Sequence, residues 1–548
     1  MRYEGKHEMD AADKPPIEAG RVDAFFEAVT TGHLSRVTGM LAEDPQLLFV
    51  GDLPTRARLA GEALASGRLK VHVIGPSGTE GSAIIDFLLS RGIEAITAHD
   101  LSADRTQFAE TFRRTHQWLE PAERDAALAR LLAAPVQIHY RARYLEGIDG
   151  ADLIVVPQSW FRHPQNAPLR ALKERGVPFT SMTQLFFDTC PCPIIGVTGT
   201  NGKFTVATLI HEMLQAAGRR AFFSGNDRTH VPMLYYLDRI TPADWLVLEI
   251  SNRQLVDLKR SPHIAVITNL APHHLDDHGT MAEYARVKAT LIRHQKPDDH
   301  AVLNRDNSYT REMAAETQAA VSWFSADGPV ERGAFLDPQG TISLAGEARP
   351  VLTEGDLRLP GRAMIENALA ACAAAHLAGV AADVMAGVLR EFRGLPYRFR
   401  LVGERDGVAF YEDSLATNPT AAAAGIAAMT RRFILIAGGL RRGAVPEDFR
   451  PMVDALTSSG RCAAVLLIGT AAPVLVGALT EVPPESRPAV IMAGTLEGAM
   501  AEASRRVHSG DAVLLSPGCE SFDQFTDYRQ RGDRFRALAE EFTATGAK

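Results

Sequence analysis

The sequence predicts an α/β protein with three α/β domains, preceded by a short α-helical extension. Short apolar runs typical of buried strands recur along the chain, and several are followed by a glycine-bearing turn and then a helical pattern, which is the order of a βα unit. The chain has 548 residues, too many for one hydrophobic core. We expect the extension at 1–67 and the three α/β domains at 68–185, 186–395 and 396–548.

Composition restricts the class of function. The chain is 46% hydrophobic and 23% charged, with a formal net charge of −8 and an isoelectric point near 6.1. We therefore expect no general affinity for nucleic acid or for anionic membranes. The amino terminus lacks the apolar core of a signal peptide, and no uncharged apolar run reaches the roughly 18 residues of a transmembrane helix. We expect a cytoplasmic protein without membrane insertion.

The five cysteines are an odd number spread over a long chain. This pattern fits reduced thiols better than a disulfide framework. Cys190 and Cys192 are close in sequence but lack further ligand residues nearby, so a metal site at this pair is not favoured.

Residues 22–48 have the apolar spacing of two amphipathic helices joined by a tight turn. The segment resembles one ankyrin-type helix pair. A single pair cannot bury both its faces alone, so we expect it to pack on the next domain or on a protein partner.

The first α/β domain begins with the apolar strand LKVHVIG, the turn GPSGTEG and a helix through Ile84 and Leu88. The turn glycines suit a nucleotide-binding βα unit, and they equally suit tight turning and close helix packing. Further strands are expected at ADLIVVP and GVPFTSM, with a long loop from 101 to 150.

In the second domain the strand PIIGVTG leads into GVTGTNGKFT, and a helix follows from Lys203 to about 217. Consecutive backbone N–H groups, glycines that let the backbone approach an anion, and a lysine are the parts of a phosphate-binding loop. The residues that supply them are Gly199, Thr200, Asn201, Gly202 and Lys203. An empty glycine turn is the alternative, but strand, loop, lysine and helix occur in the order that phosphate binding requires.

Three downstream features are chemically suggestive. Glu249 ends the apolar strand WLVLEIS (245–251), NLAPHHLDDHG offers His274 and Asp276, and Lys288 lies on the next expected helix. Each has a plain structural explanation when taken singly: a paired core acid, a solvated loop and a surface lysine. Zinc at HHLDDH is not favoured, because the spaced partners of a structural zinc site are missing.

Taken together, GTNGK, LEIS, NL followed by His-x-Asp, and the helix lysine resemble the Mur ligases, the ATP-dependent amide-forming enzymes of peptidoglycan synthesis. In the third domain, GLPYRF, EDSLATN and LLSPGCESFDQF are similar to the glutamate-adding members. The resemblance covers about 68–548 and is most specific in the last two domains. It implies a Rossmann-like first domain, a central ATP-binding domain and a Rossmann-like third domain.

The resemblance also implies the chemistry. In this family the carboxylate of a UDP-muramoyl peptide attacks the γ-phosphate of ATP, and the incoming amine then displaces phosphate from the acyl phosphate. Several negative groups meet in one site, so lysines, arginines and two Mg²⁺ ions must offset their charge.

Residue by residue, the resemblance implies ATP and Mg²⁺ sites in the second domain. Lys203 would contact the terminal phosphates, Glu249 would hold the first Mg²⁺, and His274 with Lys288, carbamylated in the family, would serve the second. Asn304 and Asp306 match the family's residues near the adenine. Asn226 fits the muramoyl site.

The third domain supplies groups that close on ATP and that bind glutamate. Arg398 and Asp413 match the first set, and Ser521 and Tyr528 match the side-chain pocket. Arg442 and Thr417 are further candidates on the glutamate side. Asn418 is expected to cap a helix that begins at Pro419.

The sequence departs from the family pattern at several contacts. Phe204 replaces the Ser or Thr whose hydroxyl binds magnesium, and Thr205, the nearest substitute, lies about 100 degrees further round the helix. Leu415 replaces a lysine, Ala363 and Met364 replace His-Asn, and PQSWF stands in place of SPGI.

The sequence therefore predicts a ligase that joins glutamate, D or L, to UDP-N-acetylmuramoyl-L-alanine. Two alternatives remain open: the same chemistry on another carboxylate in a secondary pathway, and a non-catalytic nucleotide-binding scaffold that holds a partner through 22–48.

Overall fold

In a computed structural model of the chain, the described residues are 70–93, 95–225, 230–271 and 280–543. They fall into two compact units, one containing residues up to Phe324 with Ala373–Val380, the other containing Ser325–Cys372 with Ala381 onward. The expected helix pair at 22–48 lies outside the described residues and stays a prediction. No helix in the described ranges has the length and hydropathy needed to cross a membrane.

The first sheet of the first unit is parallel, with strand order β3-β2-β1-β4-β5. Its elements are, in chain order, β1 (Val71–Ile74), α1 (Thr79–Ser90), β2 (Ile96–His99), α2 (Arg105–Thr115), α3 (Pro121–Ala133), β3 (Val136–His139), β4 (Leu153–Val156), α4 (Ala167–Glu174), β5 (Phe179–Ser181) and α5 (Met182–Thr189).

The turn between β1 and α1 is as tight as the glycines predict. Gly75 has φ +72°, and a Cβ at Gly81 would lie 2.3 Å from the Gly75 carbonyl oxygen. Close packing of the turn on its helix therefore accounts for glycine at 81 without a ligand.

The prediction of a long loop from 101 to 150 is wrong, because this stretch contains α2, α3 and β3. The amphipathic pattern of α2 buries Phe108 and Phe112, and Asp104 caps the helix by accepting from two backbone N–H groups. The sequence VQIH of β3 is short and half polar, so its strand signal was too weak to recognise.

The second sheet of this unit is also parallel, in the order β11-β10-β9-β6-β8-β7. Its elements are β6 (Ile194–Thr198), α6 (Lys203–Ala216), β7 (Ala221–Ser224), β8 (Trp245–Glu249), α7 (Asn252–Leu255), β9 (Ile264–Ile267), α8 (Met281–Arg293), β10 (His300–Asn304), α9 (Ser308–Met313) and β11 (Ala320–Ser325). The strands expected from WLVLEIS, IAVITNL and HAVLNRD are confirmed, each ending two or three residues earlier than the apolar run suggests.

The later part of the chain contains a short antiparallel meander, β12-β13-β14, and a six-stranded sheet in the order β15-β16-β20-β17-β18-β19, parallel except for β15 with β16. The elements are β12 (Gly333–Leu336), β13 (Thr341–Leu344), β14 (Leu352–Thr353), α10 (Arg362–Leu377), α11 (Ala382–Glu391), β15 (Arg400–Arg405), β16 (Val408–Glu412), α12 (Pro419–Ala428), β17 (Phe433–Gly438), α13 (Arg450–Ser459), β18 (Cys462–Ile468), α14 (Ala472–Thr480), β19 (Ala489–Gly494), α15 (Leu496–Ser504), β20 (Ala512–Leu515) and α16 (Tyr528–Glu540). The predicted cap of α12 is confirmed, because the Ala421 backbone N–H donates to the Asn418 side chain at 3.0 Å.

Three buried histidines lie side by side on β1, β2 and β3. His72 Nδ1 is 2.8 Å from His99 Nε2, and the Leu145 backbone N–H donates to His99 Nδ1 at 3.1 Å. Since His99 Nδ1 accepts, its neutral ring carries the proton on Nε2 and donates to His72. Burial, together with neighbouring histidines including His139, lowers the pKa of His72 to about 4 and that of His99 to about 3.

His72 and His99 should make the fold sensitive to acid. An unfolded histidine has a pKa near 6.5, so between that pH and the lower folded values the unfolded chain binds more protons and the free energy of unfolding rises with pH. Each histidine contributes a slope of at most about 1.4 kcal/mol per pH unit. We expect His99→Asn to reduce the slope measured by denaturant titration from pH 4 to pH 7. Equal slopes in the wild type and the variant would contradict this origin.

Candidate active site

The phosphate-loop sequence lies where three parallel strands end together. The fully buried strand β6 has β8 and β9 as its two neighbours, and helix α6 begins five residues after β6 ends. Gly202 caps the helix with φ +79°. The first N–H groups of a helix have no partner within it, so this end of α6 is suited to an anion.

The loop packs tightly on the segment that follows β9. Gly199 has φ +144°, and a Cβ there would lie 2.0 Å from the Thr268 hydroxyl oxygen. The Thr200 N–H donates to the Asn269 carbonyl at 2.7 Å, and the Asn201 N–H donates to the Asn269 side-chain oxygen at 3.0 Å. The Thr268 hydroxyl donates to the Asn201 carbonyl at 2.6 Å. These contacts fix the loop backbone before any ligand binds.

Lys203 and Glu249 face each other beside the loop. Lys203 Nζ donates to the Thr200 carbonyl at 3.0 Å and lies 3.9 Å from Glu249 Oε1. Glu249 ends β8, as the sequence predicted, and its side chain is buried. The pair combines a cation for phosphate oxygens with a carboxylate of the kind that binds Mg²⁺.

Lys288 is a buried residue and not the surface lysine that its plain structural explanation assumed. Its side chain is 1% exposed, and Nζ donates to the Thr198 hydroxyl oxygen at 2.9 Å. Thr198 in turn donates to the Ile250 carbonyl at 2.7 Å, one residue beyond Glu249. Thr198 therefore connects helix α8 to the end of β8.

The surroundings of Lys288 disfavour its charged form. Burial lowers the pKa of Lys288 well below its usual value, and the positive charge of Lys203 lowers it further, while Glu249 opposes the shift. An amine with a lowered pKa is more often neutral and therefore more nucleophilic.

Phe204 makes ring contacts with two neighbouring side chains. Its ring centre lies 5.3 Å from that of Phe223 and 5.1 Å from that of His230, and a Cβ at Gly225 would lie 2.7 Å from its Cε2. Phe204 thus fills space next to the end of β7 with apolar surface. Thr205 is the next residue of α6 and is half-buried. Its hydroxyl is the nearest substitute for the one that Phe204 lacks.

The Asn304–Asp306 turn is tied to the same loop support. Asn304 is buried, and its side-chain nitrogen donates to the Thr268 carbonyl at 3.0 Å while its side-chain oxygen accepts from the Asp306 N–H at 2.8 Å. Asn307 donates to the Leu270 carbonyl at 2.9 Å. The turn that follows β10 is thereby held against the segment that supports the phosphate loop.

A polar chain links the first sheet to the end of β8. The Gln158 N–H donates to Glu80 Oε2 at 2.7 Å, and the Ser251 hydroxyl donates to Gln158 Oε1 at 2.8 Å. Burial raises the pKa of Glu80 to about 7, although the hydrogen bonds from Gln158 oppose the shift. Gln158 belongs to PQSWF, the segment that departs from the family pattern, and Glu80 and Ser251 are two of its hydrogen-bond partners.

In the second unit, Asp413 is a buried carboxylate directly after β16. It accepts from the Ser516 hydroxyl at 2.7 Å and from the Phe399 N–H at 3.1 Å. Burial raises the pKa of Asp413 to about 7, against the lowering effect of its hydrogen bonds and of the Arg398 charge. Arg398 itself is exposed.

Buried Arg531, which sequence reasoning missed, joins the segments that carry the other candidates of this unit. Its guanidinium donates to the Ser414 hydroxyl and carbonyl at 3.0 and 2.9 Å and to the Cys519 carbonyl at 3.1 Å. The Ser414 hydroxyl donates to the Tyr528 carbonyl at 2.7 Å. No local motif indicates this role, because the partners are distant in sequence.

The remaining candidates of the second unit differ in exposure. Ser521 is buried, and Tyr528 is half-buried at the start of α16, where its ring meets Tyr397 edge to face at 5.7 Å between centres. Thr417 is half-buried just before the α12 cap, and Arg442 is exposed. His274, Asp276 and Asn226 lie outside the described residues.

Family models match both later domains: the Mur ligase middle domain at residues 197–375 and the Mur ligase glutamate ligase domain at residues 397–519. The UDP-N-acetylmuramoylalanine--D-glutamate ligase of Symbiobacterium thermophilum is 35% identical over 469 residues, covering 84% of this chain and 96% of the relative. The ligase of the same name from Acetivibrio thermocellus is 33% identical over 481 residues, covering 87% and 97%.

The chain belongs to the Mur ligase family. Solved Mur ligases share its fold. A UDP-N-acetylmuramoyl-L-alanyl-D-glutamate--2,6-diaminopimelate ligase superposes with a TM-score of 0.51 at 18% identity, covering 71% of this chain and 92% of that chain. A UDP-N-acetylmuramate-alanine ligase from Thermotoga maritima gives 0.50 at 17% identity, covering 86% and 100%. The predicted α/β fold class and the predicted family are confirmed, and this Mur ligase is an ATP-dependent amide ligase.

The Thr198 contacts make a prediction for this Mur ligase. Thr198→Val keeps the shape of the side chain but removes the acceptor for Lys288 Nζ and the donor to the Ile250 carbonyl. Leaving such buried groups unpaired costs about 1–3 kcal/mol, so we expect kcat for ATP-dependent ligation to fall by roughly tenfold or more. Thr198→Ser, which restores the hydroxyl, should recover most of the rate. An unchanged kcat in the valine variant, with an unchanged melting temperature, would exclude a positioning role for Thr198.

Proposed function

We propose that this Mur ligase joins glutamate to UDP-N-acetylmuramoyl-L-alanine with ATP, through an acyl phosphate, in peptidoglycan precursor synthesis in the cytoplasm. The observation that carries the proposal is the grouping of Lys203, Glu249 and Lys288 around a glycine loop at the start of α6. The glutamate ligase domain match and the printed names of the relatives favour glutamate as the incoming amine.

The charges of the site suit phosphoryl transfer to a carboxylate. The substrate carboxylate attacks the γ-phosphorus of ATP and ADP leaves; the amine of glutamate then attacks the acyl carbon and phosphate leaves. Both steps concentrate negative charge at one place. In the proposal, the N-terminal end of helix α6 and the Lys203 ammonium offset that charge.

The donor set fits Mg²⁺, a hard cation that prefers oxygen ligands. Glu249 would hold the first ion. Lys288, as a carbamate formed by its neutral amine with carbon dioxide, and His274 would hold the second. Bound Mg²⁺ would supply further positive charge to the phosphate oxygens. Thr205 is the proposed source of a hydroxyl that Phe204 does not provide.

The remaining candidates divide between the substrates. Asn304 and Asp306 are proposed to lie near the adenine, and Asn226 near the muramoyl group. Arg398 and Asp413 are proposed to close on ATP.

Thr417, Ser521, Tyr528 and Arg442 are proposed to bind glutamate. We propose glutamate of either enantiomer as the substrate, because Leu415 and Arg442 alter the glutamate side of the family pattern.

A second candidate function is the same ligation on a different carboxylate. The departure PQSWF favours it, because Gln158 engages Glu80 and Ser251 and so changes the chemistry of a segment that the family pattern assigns to SPGI. A non-catalytic scaffold is disfavoured by the buried Lys288, since burying an amine is costly and a bare scaffold would not require it.

Phosphate release distinguishes these functions. We expect release that requires ATP, UDP-N-acetylmuramoyl-L-alanine and either D- or L-glutamate together, with the ligated product identified by mass. Release with glutamate but only with another acceptor would favour the second candidate. Absence of release with all acceptors, with ATP binding intact, would favour the scaffold.

Phe204 predicts an unusual magnesium dependence. A missing inner hydroxyl can be replaced by water, but positioning becomes looser. We expect Phe204→Thr to lower the Mg²⁺ concentration for half-maximal rate by roughly fivefold, the equivalent of about 1 kcal/mol, with nucleotide affinity little changed. Phe204→Val, similar in shape to threonine but without the hydroxyl, is the matched control for the lost ring packing. Equal Mg²⁺ requirements in the two variants would contradict the role of the hydroxyl.

Lys288 predicts chemical rescue. Lys288→Ala should abolish most ligation, and added short carboxylates should restore part of it, because a carboxylate can replace a missing carbamate ligand. The comparison is Lys203→Ala, which removes a cation and should not be rescued by carboxylates. Full activity of Lys288→Ala would remove this residue from the site.

A further inference from the structure

Two cysteine thiols lie close together on the segment of chain that connects the two sheets of the first unit. Cys190 follows helix α5 and Cys192 precedes strand β6 in the sequence TCPCPI. Their sulfur atoms are 3.6 Å apart. Neither residue belongs to the grouping proposed for ligation.

The local backbone explains this proximity. A residue before proline is restricted to extended conformations, and both cysteines precede a proline. Cys190 has φ −67° and ψ 122°. In extended chain, side chains two residues apart point to the same side, so the segment places both thiols on one side.

Both ends of the segment are anchored. The Cys190 N–H donates to the Phe186 carbonyl at 2.8 Å, and the Pro193 carbonyl accepts from the Leu246 N–H at 3.2 Å. Pro191 and Pro193 also have fixed φ angles. The backbone therefore holds the two sulfur atoms 3.6 Å apart, within reach of each other though longer than the roughly 2.05 Å of a disulfide bond.

The two thiols differ in reactivity. A hydrogen bond from Cys192 lowers the pKa of Cys190, while the same bond and burial raise the pKa of Cys192. Cys190 is also the more exposed of the two. In the other three cysteines, desolvation of the thiol raises the pKa to about 12, which keeps them in the unreactive thiol form: Cys372, Cys462 and Cys519.

We propose that Cys190 and Cys192 form a thiol–disulfide exchange site that reacts with low-molecular-weight disulfides. The Cys190 thiolate attacks one sulfur of the small disulfide, a mixed disulfide forms, and one small thiol leaves after taking up a proton. The Cys192 thiol then loses its proton and attacks the Cys190 sulfur, which forms the Cys190–Cys192 bond and releases the second small thiol. The two protein thiols are oxidised, and one small disulfide is reduced to two thiols.

The test uses the full-length protein and oxidised glutathione, followed by alkylation in denaturant and intact-mass measurement. We expect the oxidised wild type to take up two fewer maleimide groups than the reduced protein and to carry no glutathione. Cys192→Ser should trap one glutathionyl group on Cys190, and Cys190→Ser should carry none. Cys519→Ser, a matched control at a buried thiol, should lose two reactive thiols as the wild type does.

Two results would overturn the proposal. One is a wild type that keeps a glutathionyl group on Cys190 while Cys192 remains open to alkylation. The other is a Cys190→Ser variant that still loses two thiols, because this would place the exchange at other cysteines. Circular dichroism and melting temperature of each serine variant establish that the folded state is compared.

Discussion

The close approach between the phosphate loop and the end of β9 is the constraint on which the candidate site depends. No side chain fits at Gly199, since its Cβ would lie 2.0 Å from the Thr268 hydroxyl. That hydroxyl and the Asn269 side chain then bind the loop backbone, and Asn304 holds Thr268 from the neighbouring strand β10. Three strand ends thus fix one loop, and helix α6 starts from a backbone that has little freedom to move.

Burial and neighbouring charge around this loop favour the neutral form of Lys288. Lys203 and buried Lys288 lie near one carboxylate, Glu249, and each lysine disfavours the charge of the other. Burying an amine costs free energy unless hydrogen bonds or opposite charge offset it. Thr198 offsets part of that cost for Lys288. The rest is avoided when the Lys288 amine is neutral, the form that burial and the charge of Lys203 favour.

Local signals were readable in the sequence, and contacts between distant segments were not. The helix cap at Asn418, the loop before Lys203 and the placing of Glu249 at a strand end each depend on a few adjacent residues, and each is observed. The burial of Lys288 and the link through Gln158 depend on neighbours far along the chain. The stretch from 101 to 150 was misjudged for a related reason: β3 is recognisable chiefly from its pairing with β2.

Phe204 departs from the family motif, but its side chain contributes packing to the fold. The N-terminal end of α6 and Lys203, to which the proposed function assigns phosphate binding, are not altered by the side chain at 204. Its ring packs against Phe223 and His230, and Gly225 leaves room that any larger residue would fill. The aromatic side chain thus contributes packing to α6 and β7 where a hydroxyl would contribute a metal ligand. In the proposed function, phosphate binding and metal positioning are separable properties of this loop, and Phe204 would affect the second alone.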